Sequence, residues 1–201
     1  MTGVQTCSLP IFILLWKLGR KKRNKSYWKE VIHLSEDILT SLINNFQYPF
    51  SIRKDGLINI NEEFAHGTWK DVRIDGKPVT PRHGAPIEIN ALWYNALCSY
   101  EGMCDEYSHS SESSYIPQVQ FIKLKDQVKD SFGKYWDGEY WADRLEGDRQ
   151  IKDIRPNAII ALSLPWQVID LSVMKKVFER TFKELYTYYG IRTLSPSDVR
   201  F

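Results

Sequence analysis

The chain has 201 residues, enough for one sizeable domain or part of a larger one, since domains usually hold on the order of 100 to 200 residues. Apolar residues make up 43% and charged residues 26%, the balance of a globular protein rather than a disordered or membrane-embedded one. The 27 basic and 25 acidic residues leave a formal charge of +2, too near neutrality to call for nucleic acid or another polyanion as partner.

Residues 1–11 have no helical periodicity and resemble a translated sequencing-adapter tail, so the native sequence is expected to begin near Phe12, inside a helix, with upstream sequence missing. The apolar run Leu9–Trp16 is far shorter than the roughly 20 residues a bilayer span needs and lacks the flanks of a signal peptide. No membrane association is expected. Phe12–Leu18 reads as a helix ended by Gly19, followed by a basic loop, with Ser26 as the N-cap of the next helix. That helix carries Val31, Ile32, Ser35, Ile38, Leu39, Leu42, Ile43 and Phe46 at helical spacing, which makes one buried stripe. Pro49 and Asp55-Gly56 break the pattern, and Leu57–Ile60 reads as a short extended piece.

Residues 61–85 contain Gly67, Gly76, Pro78, Pro81 and Gly84, which forbid a continuous helix. Long irregular segments inside a domain are more often functional than not. Pro86 opens a helix with Ile87, Leu92, Trp93, Ala96, Leu97 and Tyr100. A helix from Pro117 to Phe132 is predicted to bury Val119, Ile122, Val128 and Phe132. Residues 136–153 read as loop with one short hairpin, Pro156 starts a helix that Pro165 ends, and Leu171 to Leu185 mark the last helix. Gly190 reads as its C-cap.

Cys7, Cys98 and Cys104 form no disulfide framework, which suggests a reducing compartment and a cytoplasmic location. With His109, the latter two cysteines match no zinc spacing, so neither a metal nor a cofactor is expected.

His66-Gly-Thr-Trp-Lys-Asp71, Pro78-Val-Thr-Pro-Arg82 and Glu88-Ile-Asn-Ala-Leu-Trp-Tyr-Asn-Ala96 place two acids, an arginine and bulky aromatics in one short stretch. Aromatics reach 13% of the chain, with seven Trp and eleven Tyr, and such rings suit sugars because the C–H face of a pyranose is apolar. Arg82 can grip hydroxyls with its planar fork. Glu88, at a helix start, can accept from adjacent hydroxyls or simply complement the helix dipole. Trp93 and Tyr94 lie on opposite sides of one helix, so at most one of them faces a pocket.

These three blocks resemble the C-terminal glucosidase domain of glycogen debranching enzymes, whose pattern runs approximately T-W-M-D-A, P-V-T-P-R-x-G and V-E-I-N-A-L-W-Y-N-A-L. Asp153 with Arg155-Pro-Asn157, and Tyr189-Gly-Ile-Arg-Thr-Leu-Ser-Pro196, resemble two further motifs of that family, with Arg192 and Ser195 as weaker pocket candidates. The resemblance implies an all-α fold, a partial (α/α)6 toroid of about half the barrel with long irregular loops, over residues 12–201. It also implies a glycoside hydrolase acting by inversion on an α-1,6-linked glucose of an α-glucan. An open half barrel is expected to expose apolar edges.

Glycoside hydrolysis needs a protonated carboxylic acid and a second carboxylate. Asp71, matching the acidic residue of T-W-M-D, is the expected catalytic acid, its pKa raised by partial burial beside Trp69 and a nearby carboxylate. Lys70 replaces the family's Met and is expected to point away, because a cation facing the acid would lower its pKa. Trp69, Arg82, Glu88, Trp93, Arg155 and Asn157 are the expected substrate-binding residues. The partner carboxylate is expected beyond Phe201, so the chain alone should have little or no activity. The competing readings are another toroid glycosidase, of glucoamylase or trehalase type, and a non-catalytic carbohydrate-binding or structural remnant. The oligomeric state is not legible.

Overall fold

A computed structural model describes residues 8–44, 50–109 and 115–201. Its organising element is the helix that follows Pro86, Ile87–His109. Of its residues, Ile87 through Ala91, Trp93 through Tyr100, Met103 and Cys104 are all buried. A helix apolar on every side belongs in the middle of a structure. The other helices pack around it: α1 (Leu9–Lys22), α2 (Lys25–Asn44), α4 (Val119–Ser131) and α5 (Asn157–Leu162) all contact this α3. The last helix, α6 (Leu171–Leu185), lies against α5.

The first two helices meet differently from expectation. Gly19 does not end α1, which continues through it to Lys22. Its bare backbone instead receives the Trp28 indole from α2, and a Cβ placed there would lie 2.2 Å from the ring. The helix ends at Arg23, which adopts a left-handed conformation (φ 49°) and donates its N–H to the Gly19 carbonyl. Asn24, not Ser26, caps α2, its Oδ1 accepting the Ser26 N–H at 2.8 Å. The predicted stripe of α2 is buried at Val31, Ile32, Ser35, Leu39 and Leu42, joined by Trp28; Phe46 and Pro49 lie outside the described residues. Leu9 is fully buried, so α1 begins within the segment read as adapter-like.

On α4 the buried face is Phe121, Leu124 and Val128, continuing to Phe132, whereas Val119 is 62% exposed. The expected face was thus rotated. Val119 is the first helical residue and stays exposed, while the i, i+3, i+7 set starting at Phe121 is the face that is buried.

The structure is not wholly helical. Among the described residues, nine short strands form one three-stranded and three two-stranded sheets. β1 (Phe50–Ile52) and β2 (Ile58–Ile60) form an antiparallel hairpin, the second matching the extended piece expected at Leu57–Ile60. β3 (Arg73–Ile74) and β4 (Lys77–Pro78) are closed by Asp75 and Gly76, both at positive φ, which suits an Asp-Gly hairpin turn. β5 (Ala85–Pro86) pairs with β6 (Arg144–Glu146), which pairs with β7 (Arg149–Ile151), the hairpin expected within residues 136–153.

These strands bring two distant loops together. Gly84, at φ +86°, lets β2 and β6 close in, because a Cβ there would sit 2.2 Å from the Leu145 carbonyl oxygen. Asn90 on α3 brackets Ile58, accepting its N–H at 2.7 Å and donating to its carbonyl at 3.0 Å. After α6 the chain forms a further hairpin, β8 (Tyr186–Thr187) with β9 (Gly190–Ile191). Gly190 therefore serves a strand turn and not a helix cap.

Apolar edges are exposed on both flanks: Ile11, Leu14 and Leu18 along α1, and Phe178 and Phe182 along α6. Phe178 stacks on Phe182, which stacks in turn on Tyr186 with ring centroids 4.4 Å apart. The last helix forms where it was expected, and its buried face is Val177, Thr181 and Leu185.

Candidate active site

The irregular segment before α3 reaches the loop preceding β6 through side chains. Arg82, wholly buried, donates Nε to Asp143 Oδ2 at 2.8 Å and Nη2 to Glu88 Oε2 at 2.8 Å. Its Nη1 donates to the other Glu88 oxygen. Burial by itself would depress the guanidinium's pKa, but Glu88 and then Asp143 hold it well above the ordinary arginine range. Asp143 Oδ1 accepts from Asn157 Nδ2 at 2.6 Å, and Asn157 Oδ1 accepts the Trp69 indole N–H at 2.9 Å. The result is a continuous relay, Glu88–Arg82–Asp143–Asn157–Trp69, running from the first turn of α3 to the surface.

Backbone bonds fix both ends. The Arg82 N–H donates to Ala65 O at 2.7 Å, the Ile87 N–H to Asp143 O at 3.0 Å and the Asp143 N–H to Ile151 O at 2.8 Å. A buried ion cluster of this kind is held by the completeness of its pairing, and removing one partner typically costs about 3 to 5 kcal/mol. Trp69 sits at the outer end, 52% exposed, with its indole N–H anchored.

Several expectations change on this geometry. Arg82 and Glu88 do not offer their polar groups to the surface; both are fully buried and grip each other. Trp93 belongs to the core, unexposed, with its indole N–H donated to Gly56 O at 3.2 Å. Its neighbour Tyr94 is also buried, so neither faces a pocket. Both rings are buried because α3 is surrounded, which a sequence pattern for a one-sided helix does not anticipate.

Asp71 is exposed rather than partly buried beside Trp69. It lies near His66, whose pKa is lowered by burial and by the adjacent Arg73 and pulled back upward by Asp71. Arg73 also contacts the His66 ring through Nη2.

Lys70 points inward, contrary to expectation. The residue is 9% exposed, its Nζ 4.8 Å from the Trp69 ring centroid and 3.4 Å from the Thr193 carbonyl to which it donates. Burial, then the cations Arg155 and Arg82, push its pKa down to about 8, against the opposing pull of Asp143 and Glu88.

Arg155 and Asn157 do gather beside Trp69. Arg155 donates Nε to Asp153 at 3.2 Å and Nη1 to Thr193 O at 3.1 Å. Asp153 is nearly buried, and although burial would raise its pKa, Arg200 and Arg155 bring it below the usual carboxylate value. Arg192 and Ser195 turn elsewhere, to Tyr186 O and Glu184.

Asp143 is the residue that sequence reading missed. Once Arg82 is buried against Glu88, its Nε still needs an acceptor, and the Asp143 carboxylate supplies it. What the sequence could not supply was its location, 61 residues downstream on the loop before β6.

Two surface clefts lie elsewhere, one lined by Asp137, Tyr140, Trp141, Lys152 and Arg180, the other by Gly19, Arg20, Trp28 and Glu106. Neither of these two clefts is lined by Trp69 or Asp71. Among the described residues no helix is long and apolar enough to cross a membrane, and no group of three or more His, Cys, Asp or Glu is placed to hold a metal ion.

No curated protein matches the chain significantly. A family model described as amylo-alpha-1,6-glucosidase matches residues 16–201, a span that includes every residue of the relay. The chain therefore belongs to the amylo-alpha-1,6-glucosidase family, a family of glycoside hydrolases acting on glucans.

Proposed function

We propose that this chain is part of a glycosidase of half-toroid architecture that hydrolyses α-1,6-linked glucose on an α-glucan by inversion, with Asp71 as the catalytic acid. The observation that carries this reading is the relay from Glu88 to Trp69, which anchors an exposed indole one residue from Lys70 and two from Asp71. A rigid aromatic face beside an accessible carboxylate is what stacking a sugar and protonating its leaving oxygen requires. Arg82 and Glu88 act as the frame and not as grips, while Asn157 and Arg155 order the floor.

An inverting reaction needs a second carboxylate about 6.5 to 9.5 Å from the acid to activate water. Glu88 and Asp143 are the nearest buried acids in the relay, and both are occupied by Arg82. We assign the base to a carboxylate outside this chain, with the exposed apolar flanks of α1 and α6 as the surfaces against which the rest of the toroid packs. The buried, unpaired thiols Cys98 and Cys104 support a cytoplasmic setting.

A non-catalytic carbohydrate-binding reading is favoured by one observation, the exposure of Asp71. Titration calorimetry with maltotriose and isomaltose, run alongside glucose-release assays on this chain and on the gene-completed protein, separates these readings, because only the glycosidase reading expects glucose release from the completed protein. The expected result is binding by the wild-type chain, a loss of at least about tenfold in affinity for Trp69→Ala, and little turnover. Binding unaffected by Trp69→Ala would remove the platform from the argument. Robust glucose release by this chain would remove the need for an external base.

A further inference from the structure

Lys70 is buried, yet among the described residues it has no ion-pair partner. Its Nζ makes one long hydrogen bond, to Thr193 O at 3.4 Å, and rests over the Trp69 ring. Of the nearby carboxylates, Asp143 and Glu88 are engaged by Arg82 and Asn157, and Asp153 by Arg155 and Arg200. Withdrawing an ammonium from water without a counter-charge is costly. Such violations of local consistency concentrate at functional sites.

Arg155 Nη1 donates to the same Thr193 carbonyl oxygen, at 3.1 Å. Two nearly buried cations thus converge on one neutral oxygen. Thr193 itself is exposed, so the two cations converge at the margin of the surface, beside the Trp69 ring that Lys70 overlies. A negatively charged oxygen that took over these bonds from the Thr193 carbonyl would be held by both cations, the lysine as a compact charge and the arginine through its fork.

We propose that Lys70 and Arg155 form an oxyanion subsite beside the Trp69 platform, suited to a sugar ring that carries a phosphate ester. The inference rests on reading Trp69 as a sugar platform and extends the ligand from a neutral glucan to an anionic one. The groups facing Lys70 are Arg155 and Arg82 on the cationic side and Asp143 and Glu88 on the anionic side. An added oxyanion tips this balance, drawing a proton onto Lys70 when it binds at a pH above about 8.

The test is calorimetric titration of the wild-type chain with glucose, glucose 6-phosphate, inorganic phosphate and maltotriose. Glucose 6-phosphate is expected to bind at least about tenfold more tightly than glucose, as one added charge-assisted contact would give. That gain should vanish in Lys70→Met and persist in Lys70→Arg, and binding at about pH 8.5 should take up a proton in the wild type only. Both variants are first checked for an intact near-ultraviolet dichroism spectrum.

Equal affinity for glucose and glucose 6-phosphate, or a gain retained in Lys70→Met, would overturn the subsite. Inorganic phosphate binding as tightly as glucose 6-phosphate would overturn the sugar-linked form of the ligand. Maltotriose binding without any phosphate gain sinks this inference alone. Phosphate-dependent binding with no binding of maltotriose sinks the glucan reading and leaves the subsite standing.

Discussion

Replacing Lys70 by Met exchanges an unpaired buried ammonium for an apolar side chain of similar reach, and its effect on stability can be worked out from the structure. An ordinary lysine titrates near 10.5, whereas here burial, Arg155 and Arg82 bring the value to about 8. At about 1.36 kcal/mol for each tenfold change in proton affinity, the charged form is destabilised in the folded state by up to about 3 kcal/mol. Because the folded pKa is the lower one, the folded chain binds fewer protons than the unfolded chain between about pH 8 and 10.5. Wild-type stability therefore rises with pH across that window, and below it the full penalty is present. Lys70→Met lacks the ionisable group and should be more stable than wild type by about 1 to 3 kcal/mol near pH 7, the lower figure allowing for solvent reaching Nζ. The advantage should disappear near pH 10.5. Urea unfolding of both proteins at several pH values measures this, with about 2 to 4 °C in melting temperature per kcal/mol as a second readout for a chain of this size. A variant less stable than wild type at neutral pH, or a difference independent of pH, would refute the account of Lys70 as an uncompensated cation.

The ion cluster and the helix contact make two further predictions. Arg82→Met leaves Glu88 and Asp143 buried without their shared cation, and should cost about 3 to 5 kcal/mol in urea unfolding. It should also change the fluorescence of the tethered Trp69, since Asp143 no longer holds Asn157 in place. An unchanged stability would mean that the cluster is open to water. Gly19→Ala inserts a methyl group 2.2 Å from the Trp28 ring, and should destabilise the chain by about 1 to 3 kcal/mol, reported by a lower urea midpoint. A gain in stability from the improved helix propensity of Ala would show that α1 and α2 are not in close contact there.

The helices were largely legible in sequence, because a 3.6-residue repeat in α2 and the proline before α3 act locally. Misreadings occurred where a neighbour decides. Gly19 looked like a stop, but is a contact for Trp28. Val119 and Ile122 looked buried, but the side of α4 facing α3 carries Phe121 and Leu124. Periodicity gives the existence of a stripe, not the azimuth at which another element meets it.

At the candidate site, the chemical types were legible and the roles were not. The blocks around Asp71, Arg82 and Glu88 were sufficient to identify the family, since motif residues close in sequence are recognisable without coordinates. Pairing Arg82 with Asp143, turning Lys70 inward onto Thr193 and tying Trp69 to Asn157 required residues 61, 123 and 88 positions apart to meet. The amino-acid sequence alone determined the helical character, the local breaks and the chemical inventory, which depend on neighbours along the chain. Tertiary structure decided which charges are buried together and which ring remains open, because desolvation and counter-charge are properties of the assembled surroundings.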